Sequence, residues 1–384
     1  MPKVLRIINR FNIGGPTYNA AYLSKYMPDN FETMLVGGQK DETEDSSGFI
    51  LDKLDLDPII IPEMRREIGF SDDRKAYKKI KELIAEFKPD IVHTHASKAG
   101  AIGRLAASKM KVPLIYHTFH GHVFHSYFGK AKTSAYKNIE RYLAKKSTYI
   151  IAISEIQKQE LAIEHKICDL DKIKVVPLGF DLNRFREDQD IKRIRFRKEW
   201  KIQSDEIAVG IIGRLVPIKN HKFFFDVCER VNSNTAKKVK FLVVGDGELG
   251  EELRELVATK NLTNVIFTSW QKEVDIVNAG LDIICLTSLN EGTPVSLIEA
   301  QASAKPIVTT NVGGVKNIIR NNKSAFCVEK DDVDGFTNQL LSLIEDEELR
   351  DEFSKNGSHV FESFHYTRLV NDISSIYNDG LSQI

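Results

Sequence analysis

The sequence predicts an α/β protein of two parallel-sheet domains, and three observations lead there. A chain of 384 residues exceeds one ordinary domain and suits two of about 150–200 residues, each able to bury a core. Short β-branched runs alternate with amphipathic helical stretches, the order of βαβ units in a parallel sheet. The runs fall into two series, separated by Val175-Val-Pro-Leu-Gly-Phe-Asp-Leu-Asn-Arg-Phe185, a strand and turn punctuated by Pro and Gly, and by the charged stretch Arg186–Arg197. The interdomain boundary is therefore expected at 185.

In the first series the strand candidates are Val4–Asn9, Asp90–His95, Leu114–Thr118 and Tyr149–Ile153. In the second they are Ile207–Gly213, Val239–Gly245, Val265–Thr268, Ile283–Leu286 and Pro306–Thr309. Helices are expected at Gly129–Lys146, Gly250–Thr259 and Thr367–Ile384, and a polar loop at Lys40–Ser47. Ligands of open α/β sheets bind beyond the carboxyl ends of the strands, so the residues that follow each strand are the ones to examine.

After the first strand comes Asn12-Ile-Gly-Gly-Pro-Thr17. Gly14 and Gly15 allow a bound group to approach the backbone, and the following helix start offers amides to phosphate. Gly213 ends a strand and is followed by Arg214 and, five positions later, Lys219. A guanidinium fork and a flexible ammonium suit the two sides of a diphosphate leaving group. Gly245 opens a second glycine-rich turn, Val244-Gly-Asp-Gly-Glu-Leu249. The densest signal is Leu289-Asn-Glu-Gly-Thr-Pro-Val-Ser-Leu-Ile-Glu-Ala-Gln-Ala302, with Glu291 and Glu299 eight apart. Gly292, Thr293, Pro294 and Val295 read as a turn and a helix start, with Pro294 in the first helical turn, where its missing N–H costs nothing. The amides there face an anion or a sugar, and Glu299 stands about one turn inside the helix.

Composition excludes other classes. Hydrophobic residues make up 42% and charged residues 28%, ordinary for a globular protein, and no apolar run nears the roughly 18–20 residues that span a bilayer. The start, Met1-Pro-Lys-Val-Leu-Arg-Ile-Ile-Asn-Arg10, reads as a strand rather than a signal peptide, so a cytoplasmic location is expected. Cys168, Cys228, Cys285 and Cys327 lack the spacing of a zinc site or a disulfide framework. The net charge is zero, but residues 1–180 carry 28 Lys+Arg against 22 Asp+Glu, leaving 26 against 32 for the rest. Gly129–Lys146 concentrates six basic residues and two tyrosines around one acid. That segment is read either as a solvated helix face or as a face that meets an anionic membrane surface, such as that of the inner membrane, or a phosphate-bearing acceptor. No strongly basic domain or motif points to nucleic acid.

Seven of the ten histidines lie between His93 and His165. His93 and His95 are taken to face opposite sides of their strand. With His117, His120, His122 and His125 they form no recognisable ligand set, so no metal is expected.

Glu291 to Glu299, with Gly213-Arg-Leu-Val-Pro-Ile-Lys219 upstream, resembles the E-x7-E element of glycosyltransferase family 4. The Gly245 turn resembles that family's V-G-x-G-x element, and Asn311-Val-Gly-Gly-Val-Lys-Asn-Ile-Ile319 its G-G-x-x-E-I-I element, with Asn317 where glutamate is common. The resemblance implies the GT-B fold, two Rossmann-like domains facing each other across a cleft. In it, 1–185 forms the acceptor side, 186–366 the nucleotide-sugar side, and 367–384 a helix packing back on the first domain. It implies a retaining transfer from a nucleotide sugar, UDP-linked by preference, with no cofactor and no obligatory metal. The acceptor it implies is a saccharide or a lipid-linked saccharide, as in bacterial surface polysaccharide assembly.

On the same resemblance, Glu291 and the amides of Gly292–Val295 hold the sugar, Glu299 the ribose, and His120 the sugar near its reacting carbon. His122 and His125 would shape the acceptor side. At Phe267-Thr-Ser-Trp270 the family has glycine before an aromatic residue and reads the base with its backbone; here Ser269 precedes Trp270. Arg214 and Lys219 would stabilise the departing diphosphate. With no nucleophile evident, front-face attack is favoured over double displacement through Glu291. A hydrolysing nucleotide-sugar epimerase of similar fold and a catalytically silent binding subunit are the alternatives.

Overall fold

The computed structural model describes the chain except for Ile13, 40–46, Arg66, Ile68 and 122–129, and gives backbone alone at 130–132. The loop expected at Lys40–Ser47 thus lies outside the described residues except for Ser47, as do His122 and His125.

The described chain forms two compact units, Met1–Phe180 with Phe364–Ile384, and Asp181–Ser363. The first holds strands β1 Lys3–Arg10, β2 Glu32–Gly38, β3 Ile59–Ile60, β4 Ile91–His95, β5 Leu114–Phe119, β6 Tyr149–Ala152 and β7 Ile173–Val175. They are ordered β3-β2-β1-β4-β5-β6-β7. The second holds β8 Glu206–Ile212, β9 Lys238–Val244, β10 Val265–Ser269, β11 Ile283–Leu286, β12 Ile307–Thr310 and β13 Ala325–Val328. Their order is β10-β9-β8-β11-β12-β13. All strand pairs are parallel. Both are doubly wound sheets whose strand order reverses once, between β1 and β4 and between β8 and β11. At such a reversal the two adjacent loops diverge to opposite faces and leave a crevice.

The strands are largely buried because helices cover both faces. Val209 and Ile211 of β8, Phe241 and Val243 of β9 and Ile283 of β11 share one buried cluster with Phe224, Val227, Cys228 and Val231 of the helix His221–Asn234. Phe224 meets Phe241 edge-on at 5.9 Å and 86°, a geometry that adds about 0.5–1.5 kcal/mol to the burial of the rings.

The chain leaves the first unit at Phe180, ahead of the expected 185. Phe180 N–H donates to Phe364 O at 2.8 Å, and Tyr366 N–H donates to Phe180 O at 3.0 Å, so the outgoing and returning segments are bonded to each other. The last helix, Tyr366–Leu381, packs in the first unit, where Leu369, Val370, Ile373 and Tyr377 are buried beside Val4, Ile91 and Tyr116. Tyr377 binds the fully buried Arg6 at 3.3 Å, and Arg6 also donates to Leu23 O at 3.1 Å. A guanidinium in a sheet core needs such partners.

Candidate active site

The carboxyl ends of β8, β9 and β10 are joined by backbone hydrogen bonds. Gly213 N–H donates to Val244 O (2.9 Å), Leu215 N–H to Asp246 O (2.9 Å) and Gly245 N–H to Ser269 O (3.0 Å). Glycine is what permits this contact. Gly245 has φ 136°, and a Cβ there would stand 2.0 Å from Gly213 O. Arg214, on this rim, is exposed, and its side chain has no ion-pair partner among the described residues.

Across the reversal, the β8 and β11 loops are tied together. Leu289 N–H donates to Ile218 O at 2.8 Å, and Thr287 Oγ1 donates to Lys219 O at 3.0 Å. The turn Pro217–Lys219 aims Lys219 over Gly213, and its Nζ reaches Glu291 Oε1 at 2.5 Å. Ser288 Oγ donates to the same oxygen at 2.6 Å. The two charged side chains are 23% and 11% exposed, so water screens the pair only partly and the contact is short, as charge-assisted bonds are. The structure thus brings Lys219 and Glu291, 72 positions apart in sequence, into direct contact, with the lysine resting on the glutamate.

The loop after Glu291 lies flush against Gly313 and Gly314. A Cβ at Gly313 would stand 1.9 Å from Glu291 O, and one at Gly314 1.8 Å from Gly292 O. Gly314 N–H donates to Glu291 O at 3.0 Å. Gly292 differs: a Cβ there would meet none of the described residues within 4 Å. The fold demands glycine at 313 and 314 but not at 292.

The helix Val295–Ala302 starts one residue later than expected. Pro294, with φ −69° and ψ 97°, is its N-cap rather than part of its first turn, because its extended ψ turns the chain into the helix. No side chain caps this end, so its first amides are open to a ligand. Glu299, in the same helix, is 15% exposed and 3.9 Å from Arg184. Burial pushes its carboxyl up to about 7; Arg184 opposes the rise and Asp275 adds to it.

Between the ordinary carboxylate range and about 7, folded Glu299 therefore keeps a proton that the unfolded chain has released. The folded state binds more protons there, so stability falls as pH rises through that window and is lowest above it. Glu299→Gln removes this dependence. By urea unfolding, the variant is expected to gain on wild type between pH 5 and pH 8 by about 1–3 kcal/mol, at about 1.4 kcal/mol per pKa unit.

Ser269 has φ 57°, the left-handed conformation that glycine adopts freely. The backbone shape suited to glycine is thus kept despite the serine. Ser269→Gly is expected to raise stability by about 1 kcal/mol with nucleotide affinity unchanged, read by thermal melting with and without nucleotide. Trp270 beside it is 42% exposed.

In the first unit Gly14 is extended, with φ 163°. A Cβ on Gly14 or Gly15 would make only ordinary contacts, at 3.6 and 3.7 Å, so packing does not dictate these glycines either. At the end of β4 the histidine expectation is overturned. His93 and His95 face the same side, their rings stacked at 4.3 Å, because residues two apart on a strand share a face. His93 is held at both nitrogens, by Tyr377 OH at 2.5 Å and Thr118 Oγ1 at 2.8 Å. His120, just past β5, places Nε2 2.9 Å from His95 Nδ1. Burial pushes His120 down to about 3 and holds His93, His95 and His117 well below the usual range, so these rings are neutral. Among the described residues no three His, Cys, Asp or Glu are grouped to hold a metal ion.

Two site residues escape sequence reasoning. Ser288 carries no signal beyond standing three before Glu291. His221 is 2% exposed, and neither ring nitrogen has a partner among the described residues; burial, then Lys219, pushes it down to about 4. Its place two after Lys219 was the only hint.

Residues 13–184 match the family model described as Glycosyltransferase Family 4, and residues 192–360 that described as Glycosyl transferases group 1. The chain is 30% identical over 341 residues to a UDP-Gal:alpha-D-GlcNAc-diphosphoundecaprenol alpha-1,3-galactosyltransferase of Escherichia coli, covering 87% of each protein. It is 28% identical over 338 residues to the capsular polysaccharide biosynthesis glycosyltransferase CapM of Staphylococcus aureus, covering 84% of this chain and 85% of that one. Among solved structures, Anabaena HepE in complex with UDP superposes with a TM-score of 0.82 at 18% identity, over 98% of this chain and 100% of that one. Sucrose-phosphate synthase from Thermosynechococcus elongatus does so at 0.80 and 16% identity, over 100% of both. With both halves matched and a relative similar over most of its length, the chain belongs to glycosyltransferase family 4 and has the GT-B fold.

Proposed function

We propose that this enzyme transfers a hexosyl or N-acetylhexosaminyl group, with retention, from a UDP-sugar to a saccharide or lipid-linked acceptor in bacterial surface polysaccharide assembly. The observation that carries this is the Lys219–Glu291 pair at the strand reversal of the second sheet, beside Gly292, where a Cβ would meet none of the described residues within 4 Å. A cation, a carboxylate and room are what a sugar with a diphosphate leaving group requires. The E. coli relative's name gives UDP-Gal as its donor and a diphosphoundecaprenol-linked sugar as its acceptor, and the Anabaena structure holds UDP.

In this reading Arg214 and Lys219 take the diphosphate, so the protein's own cations meet the leaving charge without a metal. Glu291 and the amides of Gly292, Thr293 and Val295 hold the sugar hydroxyls, with Pro294 setting the turn. Glu299 accepts from the ribose hydroxyls, and the backbone at Ser269 and Trp270 meets the base. Gly213 and Gly245 keep the rim low for the nucleotide. Gly14 and Gly15 leave backbone amides open to phosphate, and His120 offers a neutral ring to the sugar. The bond from the anomeric carbon to the phosphate oxygen breaks as the acceptor oxygen bonds on the same face, and the departing phosphate oxygen takes the acceptor proton.

The helix Lys130–Lys146 supports a membrane-side acceptor: Ile139 and Tyr142 are 49% and 54% exposed next to Arg141, Lys145 and Lys146. Apolar and basic groups together favour an anionic lipid surface. Among the described residues no helix is long and apolar enough to cross a membrane.

The test is release of free nucleotide from a panel of UDP-, GDP- and ADP-sugars, with and without bacterial lipid extract. Slow hydrolysis of one UDP-sugar, accelerated by lipid, is the expected result. No binding or turnover of any donor overturns the catalytic reading and leaves a silent binding subunit.

A further inference from the structure

The histidine assigned to the sugar is itself held by another that has no role so far. His95 is fully buried, and its Nδ1 is 2.9 Å from His120 Nε2, with the two rings 27° from parallel. His95 in turn stacks on His93, which is fixed by Tyr377 and Thr118. The next residue, Ala96, has φ 68° and ψ 159°, a region essentially confined to glycine that persists only where the surroundings impose it. Gly100 N–H donates to Ala96 O at 2.7 Å and anchors this turn to the helix Ser97–Lys109. The strand end is thus held in a costly shape that presents His95 to His120.

Two neutral imidazoles joined nitrogen to nitrogen share a single proton, and whichever ring donates, the other must accept. His120 Nδ1 has no hydrogen-bond partner among the described residues. Whether it offers a lone pair or an N–H therefore depends on which way the shared proton lies.

We propose that His95 is a positioning residue: it fixes the orientation and tautomer of His120, and through them the hydrogen-bonding character that Nδ1 presents to the transferred sugar. This rests on the assignment of His120 to that sugar. His95 touches no substrate itself, and its effect falls on turnover rather than on nucleotide binding, which the second unit supplies.

The experiment compares His95→Phe, His95→Asn and His120→Ala with the UDP-sugar selected in the release assay. Phenylalanine keeps a ring to stack on His93 but has nothing for His120 to bond. Asparagine puts an amide atom near the place of Nδ1, able to donate or accept. At matched Tm and UDP affinity, His95→Phe is expected to lose about 10- to 100-fold in kcat, as loss of an orienting partner does elsewhere, with donor KM within about twofold, and His95→Asn to recover most of it. Wild-type kcat in His120→Ala overturns the assignment of His120 to the sugar. An impaired His120→Ala beside a fully active His95→Phe, or a His95→Asn as impaired as His95→Phe, overturns the positioning role instead. Should His95→Phe not fold, the ¹⁵N shifts of His120 in the wild type decide: one fixed tautomer is expected, and a mixture of two overturns the proposal.

Discussion

Lys219→Ala and Glu291→Gln are each expected to lower the release of nucleotide from the preferred UDP-sugar by about 100- to 1,000-fold, the usual loss when one preorganised electrostatic group is removed. The two variants fail for different reasons. Glutamine at 291 can still accept from Ser288, whose hydroxyl lies 2.6 Å from the carboxylate, and from Lys219. Geometry is largely kept while charge and hydrogen-bonding symmetry are lost, so turnover falls more than UDP affinity does. Alanine at 219 removes the cation that meets the leaving diphosphate and leaves an 11% exposed carboxylate beside an incoming anion. Both UDP affinity and turnover therefore fall. Because the residues share one bond, their effects are not additive, and the double variant is expected to be little worse than Lys219→Ala. Steady-state release and UDP titration of the three proteins check this, and wild-type turnover in either single variant would remove the pair from the chemistry.

Gly314→Ala and Gly292→Ala are expected to separate folding from function. At 314 the new methyl would stand 1.8 Å from Gly292 O. Neither backbone can yield without breaking the bond from Gly314 N–H to Glu291 O, so the loss should exceed about 3 kcal/mol, beyond ordinary overpacking. At 292 the methyl meets none of the described residues within 4 Å, and stability should stay within about 0.5 kcal/mol. Donor turnover should nevertheless drop by about 10-fold or more, since a small misplacement of a bound reactant is costly. Melting curves and release assays on both variants read the contrast. Unchanged turnover in a well-folded Gly292→Ala would show that the open space beside Glu291 is not where the sugar lies.

Much of the fold was legible because a parallel sheet covered on both faces writes itself as short runs rich in β-branched and other apolar residues. Strands β1, β4, β5, β8, β9 and β11 carry such runs and stand where their residues place them. Strand β2 was not read because it ends in Gly37 and Gly38, which look like a turn. In the structure those glycines admit Ile8, Phe11 and the carbonyl of Met64, partners distant in sequence. Strand β13, Ala325–Val328, lies at the sheet edge and has one β-branched residue, so it lacks the run that marks β11. In the site, the type and spacing of Lys219, Glu291 and Glu299 were visible. The environment of Glu299 was not, since its burial comes from packing and its cation, Arg184, lies 115 positions upstream by residue number. Ser269 shows the reverse: its side chain differs from the glycine of the resemblance, while its backbone, at φ 57°, holds a shape that glycine adopts freely.

The hydrogen-bonded meeting of Phe180 with Phe364 and Tyr366 also governs the order in which the molecule can be completed on the ribosome. The second unit is one continuous segment, Asp181–Ser363, and can close while the rest is still being made. The first unit cannot, although its sheet emerges earlier. Arg6 and His93 wait, with no Tyr377 to bind, until the helix that carries Tyr377 leaves the exit tunnel. The half of the enzyme that is synthesised first is thus the half that finishes last, and a nascent chain stalled before the closing helix would carry a guanidinium and an imidazole without their partner.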